Sequence, residues 1–161
     1  MTAAFEAHLL LIGRLNYAWT NTESVLVHLI AGLAKTDKET ATVVFLTLNT
    51  ARARITLVER LAKMEHTDPA LRDAVLAATR RMNGVSRLRN RYNHCIYAFD
   101  DEGGGARTIL MRVQDNAKRI RMGQASSLDE EALDDVRDAL REIDAINRDL
   151  WTLIAAHDLP Q

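Results

Sequence analysis

Between positions 87 and 94 the chain reads Arg87-Leu88-Arg89-Asn90-Arg91-Tyr92-Asn93-His94. Three guanidiniums, two amides and an imidazole fall within eight residues. On a helix turning about 100° per residue, Arg87, Asn90 and His94 share one face, and Arg91 lies one turn beyond Arg87 on the adjacent line. Guanidinium forks match phosphate oxygens two at a time. An imidazole gives or takes a proton near neutral pH. Such a set suits a phosphodiester, gripped by cations while a proton is moved. Arg89 stands about 140° from His94 on an ideal helix, so the two converge only if the helix ends or loosens near Asn93. The strand-like Cys95-Ile96-Tyr97 that follows predicts this ending. Two plainer roles compete: the histidine can satisfy the last helical carbonyls, and the arginines can pair with the acidic C-terminal helix.

Long amphipathic helices must carry this segment. Phe5, Leu9, Ile12, Asn16, Trp19, Glu23, Leu26, Ile30 and Leu33 step by fours and threes, the seam of a first helix. A second runs from Glu39 to Glu65, with Val44, Leu48, Ala51, Ile55, Val58 and Ala62 on its stripe. Asp68 then fits an N-cap and Pro69 the first position of a third helix, which extends to Asn93. Its stripe is Leu71, Val75, Ala78, Met82, Val85, Arg89 and Tyr92, and Gly84 within it suggests a close approach of another helix. Cys95 to Phe99 and Thr108 to Val113 read as the strands of a hairpin with a glycine-rich tip at positions 100–105. Ser127-Leu128-Asp129-Glu130 has the pattern of a capping box opening a fourth helix, with Leu133, Val136, Leu140, Ile143, Asn147, Leu150 and Ile154 inward. The expectation is one all-α domain over 1–161, an antiparallel four-helix bundle with a β-hairpin between helices 3 and 4.

Polar residues on the seams need reasons. Glu23 and Arg89 would each cost several kcal/mol if buried alone. They are expected to meet, directly or through water, or to extend out with only their stems covered. Asn16 and Asn147 read as structural polar positions, and Trp19 as core.

Formal charge is −1 over the 161 residues, which hides an uneven spread. Residues 79–121 carry +6 and residues 122–161 carry −7. Either the two neutralise each other across a helix interface or the basic stretch faces an anionic partner such as nucleic acid. A single cysteine leaves no intrachain disulfide and no zinc-type spacing. The remaining histidines, His8, His28, His66 and His157, are scattered, so neither metal nor cofactor is expected. Cys95 as a nucleophile beside His94 is disfavoured, since adjacent strand residues point to opposite faces. No apolar run reaches the roughly 20 residues of a membrane span, and the start lacks the basic region of a secretory signal. A cytoplasmic protein is the expectation.

Arg89-Asn90-Arg91-Tyr92-Asn93-His94, at the end of a bundle's third helix, resembles the Arg-x(4–6)-His motif of the HEPN superfamily (higher eukaryotes and prokaryotes nucleotide-binding). Many relatives carry glycine just after the histidine, where this chain has Cys95; Tyr97 keeps the aromatic that follows. The resemblance implies a metal-independent endoribonuclease, homodimeric through its motif helices and possessing a composite active site. On that reading His94 handles a proton, Arg89 stabilises charge on the phosphorus oxygens and Asn90 orients one or the other. Arg87 and Arg91 would bind RNA phosphate, Glu23 would support Arg89, and the product would carry a 2′,3′-cyclic phosphate. A toxin or defence role with an antitoxin partner would fit such an enzyme. Many superfamily members are instead non-catalytic nucleotide- or protein-binding dimerisation modules. A third reading is an unrelated helical scaffold.

Overall fold

Helical periodicity and local caps account for most of the observed elements. The computed structural model describes residues 3–99 and 106–161, except for the side chains at 3, 4, 99, 112–116 and 122. The expected glycine-rich tip at 100–105 lies outside the described residues. The order is α1 (Ala3–Ser24), α2 (Leu26–Leu33), α3 (Lys38–Thr47), α4 (Ala51–Ala62), α5 (Pro69–Asn93), β1 (Cys95–Phe99), β2 (Ala106–Asn116), β3 (Arg119–Ser127) and α6 (Glu130–Ala156). The chain is thus mainly helical, with one small antiparallel sheet in the order β1-β2-β3. Among the described residues no helix is long and apolar enough to cross a membrane.

Four expectations are corrected. The first seam is two helices, because tight bonds from Val25 N–H to Thr22 O (3.2 Å) and from His28 N–H to Val25 O (3.1 Å) interrupt it. The second expected helix is also two. Leu48 turns extended (φ −81°, ψ 116°), and the Thr50 side chain caps α4 by accepting from Ala53 N–H at 3.1 Å. Threonine at an N-cap satisfies a donor that a continuous helix would not leave open. The expected hairpin is a three-stranded meander, with β3 paired to β2 from Arg107↔Ser127 to Asn116↔Arg119 and a register shift between Leu110 and Val113. Gly123, beside that irregularity, has φ +69°, a conformation that side chains resist. Finally, α6 is capped by Asp129, which accepts from Ala132 N–H at 3.0 Å; Ser127 still belongs to β3.

Other expectations stand. Asp68 caps α5 by accepting from Ala70 and Leu71 N–H, both at 3.0 Å, with Pro69 opening the helix. β1 runs from Cys95 to Phe99 as read. Trp19 is fully buried. The close helix approach expected at Gly84 is a further correction: the methyl of an alanine there would meet nothing within 4 Å, so among the described residues no helix of this chain approaches it.

The chain forms two compact units, to both of which α1, α5 and α6 contribute. One comprises Tyr17–Ser86 and Arg141–Gln161. Its core includes Trp19, Leu26, Leu29, Ile30, Ile55, Met82, Ile146 and Leu150, and α2 is buried on almost every side. Here the expected meeting of basic middle and acidic end is partly realised. Arg81 bonds Glu142 at 2.6 Å and Asp149 at 2.5 Å, and these carboxylates, Glu142 foremost, raise its pKa. Asn147, on its seam, donates to Thr22 Oγ1 at 3.1 Å. The other unit comprises Met1–Asn16 and Arg87–Leu140, and holds the sheet and the Arg-rich segment.

Candidate functional site

The end of α5 is pinned by aromatic packing. Tyr92 is buried, donates its hydroxyl to Ala132 O at 3.4 Å and meets the His8 ring edge-on at 5.3 Å. Tyr97 on β1 meets the rings of Phe5 (5.4 Å) and His8 (5.8 Å). Burial raises the pKa of both tyrosines; for Tyr97 the neighbouring Cys95 adds to the effect. His8 is fully buried, and neither ring nitrogen has a hydrogen-bond partner among the described residues. Burial lowers its pKa, so the neutral imidazole is the packed form.

α5 stops at Asn93, as the strand signal after it predicts. His94 N–H still bonds Asn90 O at 3.2 Å, while His94 O accepts from Met111 N–H at 2.8 Å and hands the chain to the sheet. Cys95 starts β1 without a positive φ, so no glycine is required where the resemblance expects one. His94 sits in the turn, not the strand, and this lets both His94 and Cys95 line one groove. The Cys95 thiol donates to Tyr92 O at 3.2 Å.

That groove has a volume of ≈ 710 Å³. Its helical wall is Arg87, Asn90, Arg91 and His94, all exposed, the face that spacing brings together. Its sheet wall is Thr108, Leu110, Met111, Gln124 and Ser126. Thr108↔Ser126 and Leu110↔Gln124 are register partners, so these four share one face of the sheet. Arg91 Nη2 donates to Ser126 Oγ at 2.7 Å and ties the walls together. Among the described residues no aspartate or glutamate lines the groove, and its charged side chains are the two arginines. It can therefore receive an anion with an apolar or amide-bearing body against the sheet.

Arg89 does not line this groove. Half-buried, it donates Nε to Asn16 Oδ1 at 2.9 Å and Nη1 to Asn90 Oδ1 at 3.3 Å. Asn16 also exchanges two amide bonds with Asn93, at 2.9 and 3.0 Å, and donates to Ile12 O at 3.1 Å. The arginine of the motif thus fastens the end of α5 to α1, and its bond to Asn90 links it to the groove wall. Glu23 has other partners than the expected one. Its two oxygens accept from Arg54 (3.1 Å) and Trp19 (2.9 Å), within the other unit. The sequence reading has Thr108 to Val113 as a strand but misses β3, which brings Gln124 and Ser126 to the sheet wall, because no turn signature of the Asn-Gly kind precedes it. Its sole cue was the alternation of Ile120 and Met122. Among the described residues no group of three or more His, Cys, Asp or Glu could hold a metal ion. No protein-family model matches the chain, and no curated protein or solved structure is significantly similar to it.

Proposed function

We propose that this chain is a metal-independent endoribonuclease of HEPN type, with a helical-bundle architecture and homodimers paired through α5. One observation carries the reading: an exposed histidine at a helix end shares a groove with two exposed arginines and, among the described residues, no carboxylate. Arg87 and Arg91 clamp the phosphate. One of Arg91's five donors is spent on Ser126, which holds its fork in place. The ribose 2′-oxygen attacks phosphorus, the bond to the 5′-oxygen breaks, and a 2′,3′-cyclic phosphate and a 5′-hydroxyl result. His94 takes the 2′-hydroxyl proton or supplies the one the leaving oxygen needs, help worth roughly 10²–10⁴-fold. Two-fold pairing would bring a second imidazole for the other transfer. Arg89 serves as a positioning residue, holding Asn90 and the helix end.

The Arg89–Asn16 bond favours a second reading, since a guanidinium so engaged is turned from the groove. On it the chain is a non-catalytic module that binds RNA or nucleotide in the same place. One assay separates the two. Single-stranded RNA is incubated with the protein in excess chelator, with His94→Ala, Arg87→Ala/Arg91→Ala and Arg89→Ala in parallel, and product ends are read by mass. The enzyme reading expects cyclic phosphate ends, lost in His94→Ala. Retention of RNA without cleavage supports the module. Equal cleavage by every variant, or neither binding nor cleavage, refutes both.

A further inference from the structure

A second concavity, of ≈ 540 Å³, lies between α3 and α4. Its apolar lining is Val44 from α3, Leu48 just past the end of α3, and Ala53 and Leu57 from α4, one turn apart. It is also lined by Arg52 and Arg60, both exposed, and by no acidic side chain among the described residues. An apolar trough on two short helices suits an amphipathic helix presenting anchors at i, i+3 or i+4, and i+7. The two arginines decide its chemistry. Two copies packed on each other through this face would set arginine against arginine, so self-pairing is opposed, whereas carboxylates on the guest would meet them.

We propose that the α3–α4 groove docks an acidic amphipathic helix of a partner protein, independently of the RNA site. Arg52 and Arg60 are eight residues apart, so they stand about 12 Å apart along α4. The guest therefore carries acidic residues seven or eight positions apart, flanking its apolar anchors.

The test uses a display library of helical peptides with fixed leucine anchors and flanks randomised among Glu, Lys, Gln and Ser. It is selected against the full chain and against Arg52→Glu/Arg60→Glu, after circular dichroism shows both folded. Wild type should enrich Glu at two flanks seven or eight apart, the double variant should enrich Lys there, and wild-type binders should lose about tenfold in affinity for it. Binders should also fail on Leu57→Asp, whose folding is checked in the same way. Absence of enrichment, uncharged or basic flanks on wild type, binders indifferent to Leu57→Asp, or a dimer of the chain alone that dissociates in Leu57→Asp would each overturn the proposal.

Discussion

Replacing Asn16 with alanine should loosen the end of α5. Its carboxamide oxygen accepts from Arg89 Nε and from Asn93 Nδ2, both at 2.9 Å. A hydrogen bond to a charged group contributes about 1.5–3 kcal/mol, and a neutral one about 1. Asn93 is exposed, so water replaces most of what it loses, while Arg89 is half-buried and keeps the lower part of the charged range. The expected cost of Asn16→Ala is about 2 kcal/mol, of which about 1.5 is coupling to Arg89. A double-mutant cycle of Asn16→Ala and Arg89→Ala in urea reads that coupling directly. Asn16→Asp keeps the acceptor and should retain it. In a chain of this size 1.5 kcal/mol corresponds to a melting shift of about 3–6 °C. A coupling below about 0.5 kcal/mol would refute the assignment of Arg89 as the fastener of α5 to α1.

Three further outcomes are expected. Because burial lowers the His8 pKa, the unfolded chain takes that proton more readily; stability is full above about pH 6.5 and falls below it, by at most about 1.4 kcal/mol per pH unit. His8→Leu should flatten the difference in urea stability between pH 7 and pH 5, and an unchanged slope would contradict the buried neutral ring. Glu23→Gln should cost about 2 kcal/mol in the same assay, since Arg54 is left facing an amide and Trp19 competes for the one remaining acceptor; a neutral result would show the triad to be inert. Gly84→Ala should stabilise the chain by about 1 kcal/mol, as its methyl would meet open space. Destabilisation together with a weakened dimer in sedimentation would place a second copy against that face of α5.

Much of the candidate site could be read from spacing alone. Arg87, Asn90, Arg91 and His94 face one groove because steps of three and four on a helix leave no other choice. The stop at Asn93 was legible in the β-branched and aromatic residues after it. The β3 half of the sheet wall was not. Gln124 and Ser126 reach the groove through pairing with Leu110 and Thr108, across turns whose composition announces little. The break at Leu48–Thr50 was hidden for a related reason, since the apolar stripe continues in phase across it and only the Thr50 cap marks it.

Periodicity, caps and the facing of neighbouring side chains arise from contacts within about four residues, and so the amino-acid order alone determined the helical character of these segments, the Asp68 start and the cationic face of α5, though not the breaks that split the first two seams. Which partner each charged seam residue takes is a matter of long-range packing. Arg89 could have turned toward the groove or toward α1; Asn16, 73 positions away, decides it. Glu23 could have waited for Arg89, yet Arg54 and Trp19 satisfy it first. Burial forces a polar group to find some partner, but only the assembled fold brings a particular one within 3 Å.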